Sequence, residues 1–241
     1  MTFLAITGLI NFLTSVLFGA FVFIKNPRGQ QNRHFFYFSL SVGLYGLGYF
    51  SWQMSHEQAA ALFWFKALFI GIILINVTLL HYVLCLVSSF KKKKTEIIVY
   101  YSINAIFIVL NLVSLLYTGL EPRHGLGLWP NPTMLFNAYL VFWAWEALYI
   151  FILLLRSIRK ATGIKREQTK YTIVSGLIGF LGGASNWPMW FGIHFPPYAN
   201  ILIATYVCLM GYAIARYQLL DIKVVLSRSE EHTSELQSRQ S

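Results

Sequence analysis

The 241-residue sequence predicts an all-α, polytopic membrane protein, a bundle of seven transmembrane helices with its N-terminus outside and its C-terminus inside. Three observations carry that prediction. Hydrophobic residues make up 56% of the chain and charged residues 12%, against about 25% charged in a soluble domain. The apolar residues are gathered in long blocks, and Lys and Arg collect in alternate connections between them. Such a composition excludes an ordinary cytosolic enzyme, a disordered chain and a disulfide-stapled secreted module. Cys85 and Cys208 both lie inside apolar blocks, so no disulfide or metal framework is read and no cofactor is expected.

A hydrocarbon layer about 30 Å thick needs about 20 apolar residues of helix to cross it. Seven blocks qualify, at 3–24, 34–52, 59–90, 97–117, 134–155, 171–191 and 198–215. The first lacks the basic start of a signal peptide and runs on to Lys25, Asn26 and Pro27, so it reads as an uncleaved helix. The third is too long for an upright crossing and is expected to tilt or to project beyond the lipid. Within the sixth, Gly176, Gly179, Gly182 and Gly183 offer a face of small residues that another helix can approach closely. Asn186, Trp187 and Pro188 then end or kink that helix, because proline removes a backbone donor. The connection 118–133 is rich in Gly and Pro and reads as a structured turn region, with Trp129 at headgroup level.

Direction follows from the basic residues. Lys25, Arg28 and Arg33 follow the first block and Lys91, Lys92, Lys93 and Lys94 the third. Arg156, Arg159, Lys160, Lys165, Arg166 and Lys170 follow the fifth, and Arg216 and Lys223 the last. All of these fall on one side, while Arg123 stands alone on the other. The same asymmetry accounts for a formal net charge of +10 without nucleic acid as a partner; the lipid bilayer is the partner it implies.

Ionisable and amide side chains inside a bilayer usually face the bundle interior. Lys66 is expected roughly 10 Å below the outer surface, Glu146 roughly 12–18 Å and Asn186 roughly 8 Å, at about 1.5 Å per helical residue. Similar depth suggests one outward-facing pocket for a small ligand or a proton, lined by Lys66, Glu146 and Asn186 and walled by Trp143, Trp145 and Trp187. The residues leave a plainer reading open, in which Lys66 snorkels to the headgroups and Glu146 meets some interior donor. Asn11, Asn76, Asn104 and Asn111 suit interhelical hydrogen bonds, as does His81. His194 reads either as a surface turn residue or as an outward pH-responsive group.

The C-terminal third carries a more specific pattern. KREQTKY stands at 165–171, GLIGFLGG at 176–183, Gly192–Ile193 and Pro196–Pro197–Tyr198 follow, and YAIARYQLLDI closes the series at 212–222. Over roughly residues 3–225 this order resembles the N-terminal seven-transmembrane region of bacterial sensor histidine kinases. The resemblance implies a sensor input module of the bacterial inner membrane, without catalytic activity of its own. Such a module is followed by a PAS, histidine-kinase or diguanylate-cyclase domain. It further implies a homodimer formed through that domain, a cytoplasmic response regulator and an unidentified small ligand. Signal transmission would run through the exit helix, where Arg216, Tyr217, Leu220 and Asp221 match the phrase at its end. Residues 226–241 break the pattern: they are polar and aperiodic, and RSEEHTSELQS at 228–238 resembles a translated sequencing adapter, which would place an output domain downstream of about Ser227. A retinal protein is excluded because block 198–215 has no lysine. The alternative is a small-molecule or proton-coupled transporter using Lys66 and Glu146, which the lack of an internal repeat disfavours.

Overall fold

In the computed structural model, which describes residues 2–216, each of the seven apolar blocks contains a long helix. Helices α1 (Phe3–Lys25), α2 (Gln30–Met54) and α3 (Gln58–Leu86) run first, and a 3₁₀ turn over Phe90–Lys93 leads into α4 (Lys94–Leu112). Strands β1 (Tyr117–Pro122) and β2 (Leu128–Pro132) form an antiparallel hairpin. Then come α5 (Met134–Ile158), α6 (Gly163–Ala184), the one-turn α7 (Trp187–Trp190) and α8 (Tyr198–Arg216).

Local chemistry sets these boundaries. The Thr2 hydroxyl accepts from the Ala5 amide to cap α1, and the Thr133 hydroxyl accepts from the Phe136 amide to cap α5. Just past the ends of α3 and α4, Ser88 and Ser114 take left-handed backbone angles of 56° and 60° in φ and turn the chain out of the helix. The third block therefore stops as a helix at Leu86, short of the expected 90, and the fourth at Leu112, short of 117. Tyr117, expected in the fourth span, belongs to β1 instead. Helix α6 starts at Gly163, eight residues before its apolar block, because its first two turns carry Lys165, Arg166, Glu167 and Lys170. It ends at Ala184, and Pro188 restarts the backbone as α7, so the expected break at 186–188 is real.

Five of the long helices (α1, α3, α4 with its preceding 3₁₀ turn, α5 and α8) are long and apolar enough to cross a membrane. Helices α2 and α6 are as long but more polar, α2 because it begins Gln-Gln-Asn-Arg-His. Large apolar side chains such as Leu17, Ile24, Phe63, Val141 and Leu181 lie exposed on the outer faces of the bundle, as lipid contact requires.

The helices approach one another through glycines. A Cβ on Gly46 would lie 2.5 Å from the Phe12 amide nitrogen of α1, and one on Gly71 2.5 Å from the Tyr45 nitrogen of α2. Gly179 and Gly182 of α6 do the same against Tyr206 and the Ala199 carbonyl. In lipid such backbone proximity is a main source of helix association, since burying apolar area against apolar solvent contributes little. Gly71→Ala and Gly46→Ala should each destabilise the bundle by about 1–3 kcal/mol, because the facing atoms are main chain and cannot step aside. Gly183→Ala, whose added methyl meets nothing within 4 Å, should change stability by less than about 0.5 kcal/mol. Thermal unfolding in detergent compares the three.

Candidate functional site

Helix α2 carries Tyr45, Tyr49 and Trp52 along one face, at spacings of four and three. All three are buried, and with Asn76 of α3, Trp143 of α5, Asn186, Trp187 and Trp190 beside α7, and Tyr206 of α8, they line a cavity of about 60 Å³. That is room for a few water molecules or part of a small ligand. None of the side chains lining it is charged.

Its floor is a hydrogen-bonded knot. Asn200 is wholly buried at the start of α8: its Oδ1 accepts from the Tyr45 hydroxyl and from Asn186 Nδ2 at 3.3 Å, and its Nδ2 donates to Thr7 Oγ1 at 2.8 Å. Its carbonyl accepts from Asn11 Nδ2 at 3.1 Å. Asn186 Oδ1 accepts from the Tyr49 hydroxyl at 3.0 Å, and its Nδ2 also reaches the Gly183 carbonyl at 3.2 Å. Elements α1, α2, the end of α6 and the start of α8 thus meet at two asparagines.

The hairpin closes this end. Trp129 is fully buried with its ring edge-on to Trp52, centroids 5.0 Å apart, and its Nε1 donates to the Leu126 carbonyl at 2.9 Å. The ring packs inside the protein, against α2, rather than facing outward. Arg123 at the hairpin tip donates from Nη1 to the Met189 and Trp190 carbonyls at 2.8 and 2.6 Å, and from Nη2 to Asn131 Oδ1, clasping the hairpin to α7. His194 stacks on His124 of the tip at 4.6 Å, both exposed.

The predicted residues divide accordingly. Asn186, Trp143 and Trp187 share the cavity; Lys66, Glu146 and Trp145 do not line it. Lys66 Nζ donates to the Leu112 carbonyl at 2.7 Å, satisfying the last turn of α4, while its own carbonyl accepts from Asn111 Nδ2 at 3.0 Å. Glu146 is buried between α4 and α5 and accepts from Asn104 Nδ2 at 2.7 Å. The Asn76 amide faces the same carboxyl and donates to the Trp143 carbonyl at 3.1 Å, so Glu146 stands one residue behind the cavity wall. Trp145 is 54% exposed and donates to the Tyr100 hydroxyl at 3.1 Å. Arg216 is exposed at the end of α8, donating to Tyr212; Tyr217, Leu220, Asp221 and residues 226–241 lie outside the described residues. Hydropathy and depth do not single out Tyr45, Tyr49 and Asn200, although two tyrosines one helical turn apart in an apolar block are a readable polar stripe.

Four buried polar atoms of residues that line the cavity have no hydrogen-bond partner among the described residues: Trp187 Nε1, Trp190 Nε1, Tyr206 Oη and Asn76 Oδ1. A helical membrane bundle around an aromatic cavity of this size is a multi-pass membrane protein with room for a small guest. Residues 7–223 match the family described as the N-terminal 7TM region of histidine kinase, and the chain belongs to that family. The family is that of a membrane-embedded input module of histidine kinases. No curated protein matches the chain.

Asn200→Ala should cost about 1–3 kcal/mol by taking the Tyr45 hydroxyl's acceptor away. A double-mutant cycle with Tyr45→Phe, read by thermal unfolding in detergent, should show the two losses to be non-additive. At the second cluster, Glu146→Gln keeps an acceptor for Asn104 and should unfold near wild type, whereas Glu146→Leu strands that amide and should cost about 1–3 kcal/mol in the same assay.

Proposed function

We propose that this chain is the signal-input domain, residues 1–225, of a bacterial sensor kinase of the inner membrane. It crosses the bilayer seven times, with α2 and α6 as the two more polar spans, the hairpin outside and the lysine quartet inside. The excess of Lys and Arg on the connections at the lysine end supports this direction. A small guest in the aromatic cavity biases the bundle between arrangements, and α8 passes the bias to an output domain downstream of the sensor. There a homodimer would form and a response regulator would be engaged. In this reading Asn186, Trp143 and Trp187 contact the guest. Lys66 and Glu146 act at a distance, by holding α3 against α4 and α4 against α5. Arg216 opens the exit phrase continued by Tyr217, Leu220 and Asp221. Because the lining is uncharged, the guest is uncharged too: an ion there would lose its hydration without a counter-charge.

The observation that carries this proposal is the cavity floor. Asn186, on the cavity, bonds Asn200, in the first turn of α8, so occupancy and exit-helix position share one set of hydrogen bonds. A guest shifts the balance only by its difference in affinity for the two arrangements. Gly183 lines the cavity with open space before it, so Gly183→Leu should fill the cavity and mimic occupancy. In the intact kinase reconstituted in nanodiscs, this change should shift basal autophosphorylation several-fold, while Leu181→Ala on the lipid face should not. Equal output from both variants would remove the cavity from the signalling path. Phosphatase fusions in the hairpin should be active outside the cell and fusions beside the lysine quartet inactive; the reverse pattern would overturn the direction.

A further inference from the structure

At the opposite end of the bundle, beside the lysine quartet, His34 of α2 meets His81 and Cys85 of α3. His81 and Cys85 are four residues apart near the end of α3, hence on one face, and His34 sits just over one turn into α2. One nitrogen from each imidazole and the Cys85 sulfur all lie within 4.8 Å of one another, and all three residues are half-buried. We propose that His34, His81 and Cys85 form a site for a thiophilic divalent transition-metal ion of the zinc class, clamping α2 to α3 at the inner face. It is independent of the aromatic cavity and of any guest there.

Three observations bear on this. First, the set mixes two imidazoles and a thiol, the donors that zinc-class ions prefer over carboxylates and carbonyls, and three protein ligands leave a fourth position for water. Second, His81 is already oriented. Its Nδ1 pairs with the Tyr101 hydroxyl at 3.2 Å, while its Nε2 is buried without a partner among the described residues. With Nδ1–H donating to Tyr101, the Nε2 lone pair is presented bare; a ligating histidine held by a partner on its other nitrogen has that arrangement. Phe90 stacks on His81 at 4.8 Å between centroids and holds the ring from one side. Third, the ring that must move is His34, half-buried and packed against His81, Tyr37 and Phe90. The His34 ring stacks on His81 at 3.7 Å, and lone pairs of stacked rings run side by side rather than converging. Tetrahedral ligation needs donor atoms about 3.3–3.6 Å apart, so His34 must swing off the stack and draw in by about 1 Å. It is half-buried in the first turns of α2, where such a rotation disturbs little of the core.

Charge sets a condition on binding. The Arg33 guanidinium acts on both His34 and Cys85 and opposes a bare dication there. Binding therefore proceeds with loss of the Cys85 proton to solvent; the sulfur forms a bond to the metal as thiolate, and its negative charge offsets part of the added positive charge. The sequence hides this site because one ligand comes from another helix, and the remaining pair, His81 and Cys85, is too sparse to form a motif.

The experiment uses the whole chain in lipid nanodiscs with cobalt(II) chloride as the probe. A thiolate-to-cobalt charge-transfer band and the visible bands of tetrahedral cobalt should appear at one ion per chain, bleach when zinc chloride is added, and accompany proton release. Cys85→Ser should abolish the charge-transfer band, and His34→Ala or His81→Ala should weaken binding at least about 10-fold. Tyr101→Phe, which leaves the ligands in place, should weaken it about 10–100-fold. Cys208→Ser and the His124→Ala, His194→Ala pair should bind as wild type does. Absence of the charge-transfer band in the parent chain overturns the proposal. So does a band that survives Cys85→Ser or vanishes with Cys208→Ser. Should His81→Ala fail to fold, His34→Ala and Tyr101→Phe decide between the outcomes, and unchanged affinity in both overturns the site.

Discussion

The structure depends on one constraint: a polar group buried among lipid-facing helices must find its partner inside the protein. Asn200 is where this constraint is met most densely. Its carboxamide and carbonyl serve Tyr45, Asn186, Thr7 and Asn11, so α1, α2 and the break between α6 and α7 converge on one side chain of α8. Single interhelical hydrogen bonds in membranes contribute on average about 0.6 kcal/mol. A cluster sharing donors and acceptors around one residue is cooperative in a way that separate bonds are not. Position, rather than affinity alone, is what the knot supplies: the start of α8 cannot shift without re-pairing groups on α1, α2 and α6.

The remaining interhelical asparagines follow the same rule with different neighbours. Asn111 donates to the Lys66 carbonyl and Lys66 to the Leu112 carbonyl, which ties α3 to α4 at the hairpin end. Asn104 ties α4 to α5 through Glu146, and Asn76 ties α3 to α5 through the Trp143 carbonyl. Glycine faces bring backbones close at α1–α2, α2–α3 and α6–α8. Polar ties cross two of the same seams: Asn32 Nδ2 of α2 donates to the Val22 carbonyl of α1 at 2.7 Å, and Thr78 Oγ1 of α3 to Ser41 Oγ of α2 at 3.4 Å.

Much of this is legible in the sequence, and the failures have physical reasons. Hydropathy locates all seven helices because lipid demands apolar length, but it misplaces ends wherever a helix outruns its apolar block. Helix α6 continues through Lys165–Lys170, and α3 stops at Leu86 while the apolar run continues to Phe90. Depth along an axis can be counted; direction around it cannot. Lys66, Glu146 and Asn186 are expected together because they lie at similar depth, yet they face different neighbours around α3, α5 and α6. Tyr45 and Tyr49 escape notice because tyrosine is grouped with the hydrophobic residues in the composition, although its hydroxyl is the part that matters here. The family resemblance is legible because its phrases sit at helix ends, where Gly, Pro and charge give a sequence its individuality.

The position of the hairpin gives the proposed input its mechanical logic. Trp129 presses on Trp52 at the cavity wall, and Arg123 holds the main chain of α7, whose preceding residue is Asn186. A change at the hairpin, in the cavity or at α7 therefore reaches the same amide, and that amide is shared with the first turn of α8. No long chain of couplings is required, since hairpin, cavity and α8 are joined within a few bonds. The energy such a device needs is modest: a coupling of about 1–3 kcal/mol changes affinity roughly 5- to 150-fold. Re-pairing two or three hydrogen bonds at Asn186 and Asn200 supplies free energy of that order, so the proposed input needs no element beyond the knot itself.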